Sequence, residues 1–206
     1  MKSRVLVNII IISMIKIVCN IVLPFTAWIP LGFLMYCIIS KPTCKEHKVY
    51  VLCSIFIMSF AFFILYQEMI WTTSVLLFIT FLIQAFDEEF IFRFMVVKEH
   101  ESMSCTLISL YSIVFSLLHV SDFFHLSNQY IVIFMIRFCF SFLLFLIYEK
   151  TKSITLNTSI HLLNNSFTMT SLNNSSIYIL FVMFLFVLFL YKREVCKKII
   201  ELKENC

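Results

Sequence analysis

Glycine occurs once in this chain of 206 residues, and proline three times. One glycine leaves no room for the glycine-rich phosphate loops of nucleotide-binding folds. The shortage of both residues excludes collagen-like and proline-rich linker architectures. Charge is scarce too: 14% of residues are Asp, Glu, Lys or Arg, against about 25% in an ordinary soluble domain. The eight cysteines, at 19, 37, 44, 53, 105, 139, 196 and 206, include no C-x-x-C pair. Zinc-ribbon and thioredoxin motifs are therefore absent. Scattered through apolar segments, the cysteines are expected to be small buried hydrophobes.

What the chain does have is apolar bulk. Hydrophobic residues make up 61% of it and phenylalanine alone contributes 25 side chains; the mean hydropathy is +0.97. One soluble core of this size cannot hide so much apolar surface. The composition excludes a typical cytosolic enzyme, a disordered chain and a nucleic-acid-binding domain. It points to an all-α, polytopic membrane helix bundle.

A membrane-crossing helix needs about 20 mostly apolar residues. Segments at 5–22, 25–40, 49–66, 69–97, 105–120, 128–148, 154–172 and 177–191 meet or approach that length. They predict about eight transmembrane helices in a single domain, 1–206. The fourth is long enough to bend. The first lacks a small-x-small cleavage site, so it reads as a retained helix rather than a signal peptide.

Basic residues support this count. With eight spans and both termini inside, the cytoplasmic segments hold Lys2, Arg4, Lys41, Lys45, Lys48, Lys98, Lys150, Lys152, Lys192, Arg193, Lys197, Lys198 and Lys203. The short outer loops hold none. This is the asymmetry expected of cytoplasmic loops. It puts both termini on the cytoplasmic side, with 192–206 as a basic cytoplasmic tail; the membrane expected is a bacterial plasma membrane.

Ionisable side chains inside apolar helices mark function by default. Three clusters qualify. The first is Q-A-F-D-E-E-F-I-F-R-F, with Asp87, Glu88, Glu89 and Arg93. Glu89 and Arg93 are four apart and face each other on a helix, and Glu88 points about 100° away. The second is F-S-L-L-H, with Phe115 one turn before His119. The third is S-I-H-L-L-N-N-S, with His161 and Asn165 on one face and Asn157 a turn earlier. Three helices thus each offer polar groups from one face, and a helix bundle converges such groups around an internal cavity. The expected site is inside the bundle.

Carboxylates, imidazoles and an amide make a hydrolytic set. A Glu or His takes a proton from water, and an imidazole or amide stabilises the oxyanion. The same groups suit a divalent metal that activates water. H-E-x-x-H and G-x-S-x-G are both missing. Intramembrane Glu, His and Arg also mark proton relays, but no duplicated half with interrupted helices supports a transporter. Depth sets one condition. In this topology Glu88 falls near mid-membrane, His161 about a third of the way in, and His119 near the outer end of a short span. Asp122 and His125 fall in the outer loop beyond it.

E-E-x-x-x-R at Glu88, Glu89 and Arg93, F-x-x-x-H at Phe115 and His119, and H-x-x-x-N at His161 and Asn165 resemble the motifs of the CAAX-protease and bacteriocin-processing family. That family comprises intramembrane endopeptidases and includes the Rce-type prenyl-protein proteases. The resemblance covers about 85–172, the family's catalytic core. It implies that Glu88 and His119 activate the attacking water, that His161 and Asn165 bind the oxyanion or complete a metal site, and that Glu89 and Arg93 orient the site. A metal-dependent version uses Glu88, His119 and His161 to hold zinc or another divalent ion; a metal-free version needs no cofactor. The family usually has Gly after the motif-one Arg, where this chain has Phe94. The implied partners are a peptide or lipidated-protein substrate and the bilayer, with no nucleic acid. Oligomeric state is not legible. The alternative is a catalytically silent relative that confers immunity to a bacteriocin or scaffolds a membrane sensor.

Overall fold

A computed structural model describes residues 48–100, 103–118, 130–168 and 175–204. The expected spans at 5–22 and 25–40 lie outside the described residues, as do His119, Asp122 and His125. Among the described residues the chain is helical, with no strand.

The helices are α1 (Lys48–Glu68), α2 (Trp71–Glu89), α3 (Val96–Glu99), α4 (Cys105–Leu118), α5 (Tyr130–Thr151), α6 (Ile154–Thr168) and α7 (Ser175–Glu204). A π-helical segment, Phe90–Met95, joins α2 to α3. The expected fourth span, 69–97, is therefore not one continuous α-helix. Its hydrogen-bond ladder changes register one residue after the Glu88–Glu89 pair, and π segments concentrate at functional sites.

Among the described residues two helices are long and apolar enough to cross a membrane, Lys48–Gln67 and Ile131–Thr151; Cys105–Leu117 and Tyr178–Lys192 are apolar but shorter. The outer surface is correspondingly apolar. Phe56, Ile131 and Phe181 are exposed by 75%, 80% and 61%. A soluble monomer rarely shows such continuous patches, whereas lipid solvates them. Cys53, Cys105 and Cys139 share this outer surface. The expectation that they are buried fails for these three, because a lipid-facing surface is as hospitable to a small apolar side chain as a core.

Helix α6 is the centre of the assembly. It packs against α1, α2, α5, α7 and the π segment. Its side chains from Ile154 through Leu162 are buried, apart from the half-buried Thr155. Enclosure by helices is what lets a sequence as polar as I-T-L-N-T-S-I-H-L-L-N-N-S sit at membrane depth.

The entry to α6 is locally encoded. Ser153 Oγ accepts from the Leu156 amide at 3.2 Å, the N-cap contact that satisfies a first-turn N–H. Ser104 caps α4 in the same way through Leu107, at 3.2 Å. At the α1–α2 corner, Ser74 Oγ donates to the Leu65 carbonyl at 3.1 Å.

Candidate active site

The site forms where the end of α2 and the π segment meet α6, with α5 behind them. Glu89 is its hub. Its Oε1 lies 3.1 Å from Arg93 Nη1 and 2.8 Å from His161 Nδ1. Its Oε2 accepts from Asn157 Nδ2 at 3.1 Å. Glu89, Arg93 and Asn157 are fully buried and His161 nearly so. A buried charge persists only when paired and hydrogen-bonded, and Glu89 meets both conditions.

Arg93 is held by Glu89, by Ser141 and by two aromatic rings. Its Nη2 donates to Ser141 Oγ at 2.9 Å and to the Ser141 carbonyl at 3.3 Å. Its guanidinium carbon lies 4.6 Å from the Phe115 ring centroid and 4.9 Å from that of Phe145. A guanidinium is flat enough to sit against two aromatic faces while its edges donate.

The His161 ring is clamped similarly. Phe115 and Phe140 meet it edge-on at centroid distances of 5.9 and 5.4 Å. Glu89 at Nδ1 fixes the ring's rotation and places the proton on that nitrogen. Nε2 is then an acceptor, and it faces Glu88 Oε2 at 3.6 Å. Two acceptors at that distance, too long for a direct hydrogen bond, make a natural seat for a shared proton or a water donating to both. Glu88 Oε1 accepts from Gln84 Nε2 at 3.2 Å.

Adjacent glutamates therefore occupy unlike environments. Glu89 is saturated by Arg93, Asn157 and His161. Glu88 faces the imidazole nitrogen that carries no proton. Carboxylate pairs divided in this way take different chemical roles.

The structure brings Glu88, Glu89, Arg93 and His161 together. The depth offset expected between Glu88 and His161 does not keep them apart: the two are in contact at 3.6 Å, through the docking of α2 on α6. Phe115 packs on Arg93 and His161, as a wall of the same pocket. Asn165 lies on α6 one turn after His161 and is half-buried. Its carbonyl accepts from Thr168 Oγ1 at 2.8 Å; its side chain makes no hydrogen bond to Glu88, Glu89 or His161. Phe94, which stands where glycine is usual, stacks on Phe90 at 5.0 Å, in a cluster with Tyr148 and Ile154.

Residues 69–167 match the family of type II CAAX prenyl endopeptidases, Rce1-like. That stretch runs from just before α2 almost to the end of α6 and contains every described residue of the cluster. The protein carries an Rce1-like domain. That family comprises integral membrane proteases, and two of the described helices here are long and apolar enough to cross a membrane. No curated protein and no solved structure matches the chain.

Three contributors to the Rce1-like site carry no motif letter. Asn157 ties Glu89 to α5, because its Nδ2 also donates to the Leu144 carbonyl at 2.8 Å. Ser141 and the carbonyls of Ser141 and Leu144 make α5 the backing wall. A buried amide four residues before His161 was a visible signal for Asn157. Backbone acceptors on α5 have no signature in sequence.

As for a metal, no group of three or more His, Cys, Asp or Glu is arranged to hold one among the described residues. Glu88 Oε2 and His161 Nε2 supply two donors, one short of the three protein ligands of a catalytic zinc. The third expected ligand, His119, is outside the described residues.

Proposed function

We propose that this chain is an intramembrane endopeptidase that hydrolyses a peptide bond in a small membrane-associated or lipidated peptide. The observation that carries the reading is the split between Glu89, which holds His161 Nδ1, and Glu88, which faces His161 Nε2 at 3.6 Å. The similarity of residues 69–167 to the Rce1-like endopeptidases supports the reaction class.

In this reading Glu88, with His119, takes a proton from water as its oxygen attacks the scissile carbonyl. Asn165 donates to the oxyanion, and His161 adds a donor there when the proton shared with Glu88 rests on Nε2. The tetrahedral intermediate then breaks its C–N bond, and the proton held by Glu88 passes to the leaving amine. Glu89 and Arg93 fix the geometry without touching substrate. Positioned proton transfer of this kind contributes about 10²–10⁴-fold, and one oxyanion donor contributes about 10²–10³-fold.

The architecture we propose has eight spans, both termini on the cytoplasmic side of a bacterial plasma membrane, a catalytic core over 85–172, and a basic tail. In the metal-free route Glu88 takes the proton of the attacking water unaided by an ion. If His119 completes a set of three, a divalent ion at Glu88, His119 and His161 would polarise the same water.

The test uses purified protein and a Glu88→Gln variant in nanodiscs. Each is incubated with short lipidated and unlipidated peptides, with products read by mass spectrometry. Cleavage by wild type alone is the expected result. Equal cleavage by both would overturn the assignment of Glu88. Cleavage by neither would favour a silent immunity or scaffold protein.

A further inference from the structure

An apolar cavity lies beside the site. It encloses about 630 Å³ between α1, α6 and α7, within the range of about 300–1,000 Å³ usual for ligand sites. Leu156, Ile160, Leu163 and Phe167 form its floor along one face of α6. Ile160 immediately precedes His161, so this floor lies about 100° around the helix from the imidazole. Ile57 of α1 and Met183 of α7 stand on its flanks. The lining is almost wholly apolar.

One end of the groove is different. Val49 and Tyr50 close it from the first turn of α1, and Phe189 and Leu190 from α7. Lys48, the residue before Val49, is exposed, and so is Lys192, two residues past Leu190. Between the last two positions, the Tyr191 ring carries the Lys150 ammonium at 4.5 Å from its centroid. Lys152 sits at the same end, in the connection that leads into α6 and its first groove residue, Leu156. Its backbone is left-handed, at φ 51°, an unfavourable conformation for a residue with a Cβ. Partial burial weakens its hold on the proton, and Lys150 repels its charge while Glu149 attracts it.

An apolar slot with a cationic mouth matches two halves of one molecule. We infer that the groove binds an anionic phospholipid, with an acyl chain along α6 and the phosphate against Lys48, Lys150 and Lys192. A neutral lipid would fill the slot equally well, and the lysines select the anionic one. The tyrosine hydroxyls of Tyr50 and Tyr191 give that mouth the amphipathic rings found at membrane interfaces. The inference does not depend on the chain being a protease.

The test is native mass spectrometry of delipidated protein titrated with dioleoyl-phosphatidylglycerol or dioleoyl-phosphatidylcholine, with thermal unfolding measured in parallel. The wild type should retain one phosphatidylglycerol and gain several degrees in Tm, since a ligand specific for the folded state raises it. Phosphatidylcholine should bind at least tenfold more weakly. A Lys48→Gln/Lys192→Gln variant, altered only at exposed positions, should lose the preference between the two lipids. Met183→Trp should lose both lipids by filling the slot; if it fails to fold, the lysine variant decides alone. Equal binding of the two lipids by wild type would overturn the inference. So would an unchanged preference in the lysine variant.

Discussion

The Glu89 carboxylate meets Nδ1 of His161 at 2.8 Å, although the two residues are 72 apart in sequence. That contact determines which imidazole nitrogen faces Glu88. It also makes the first two glutamate positions of E-E-x-x-x-R inequivalent: one builds the site and the other is presented to what enters it.

The inequivalence is measurable. Glu88→Gln should abolish cleavage by a factor of at least about 10² while leaving Tm nearly unchanged, because it removes a proton acceptor and keeps the shape. Glu89→Ala should abolish cleavage and also destabilise the fold by about 3–5 kcal/mol, since it strands the buried Arg93 charge. Thermal unfolding of both variants in the same detergent separates the two roles. Equal losses of Tm would contradict the assignment.

Arg93→Lys tests whether charge alone suffices. An ammonium keeps the pairing with Glu89 but cannot sit flat between Phe115 and Phe145 while donating to Ser141. The expected outcome is a Tm well below wild type and at least a tenfold loss of kcat. Ser141→Ala should be milder, at about 1–3 kcal/mol, because it removes one hydroxyl partner and leaves the Ser141 carbonyl in place. An Arg93→Lys variant as stable as wild type would mean the ring contacts are incidental.

Much of this arrangement was legible from sequence, and the reasons are physical. Hydropathy and scarce charge announced helices, and the spans expected at 49–66 and 128–148 correspond to α1 and α5. The Glu89–Arg93 pair followed from helical spacing, because four residues make about one turn. Proximity of Glu88 and His161 did not follow from spacing. It depends on how α2 and α6 dock, and estimated helix ends put the two at different depths. The π segment was invisible because F-I-F-R-F-M carries no residue that demands it. The wall at α5 was invisible because its contribution is two carbonyls and one serine in an otherwise apolar run.

Asn157 should behave as a positioning residue. Asn157→Ala removes the link from Glu89 Oε2 to the α5 backbone and leaves every group facing Glu88 in place. The expected result is roughly a tenfold fall in kcat, about 1.4 kcal/mol in barrier, with KM within a factor of two. Single-turnover kinetics on a cleaved peptide provides the check. A rise in KM at constant kcat would instead place Asn157 in substrate binding.

Chelation bears on the water-activating step. Glu88 Oε2 and His161 Nε2 face one another, while Nδ1 is already committed to Glu89, so His161 has one nitrogen to offer. Two donors hold a divalent ion weakly, and activity carried by Glu88 as a base should survive prolonged treatment with EDTA or 1,10-phenanthroline. Elemental analysis of the purified, active protein should then find substoichiometric zinc. Loss of cleavage on chelation, restored by one equivalent of zinc, would reverse the conclusion. It would require a third ligand at the Glu88–His161 contact, and His119→Ala would then abolish metal retention as well as activity. In the metal-free case the same variant should lose activity alone, so this substitution, scored for both properties, distinguishes the two mechanisms.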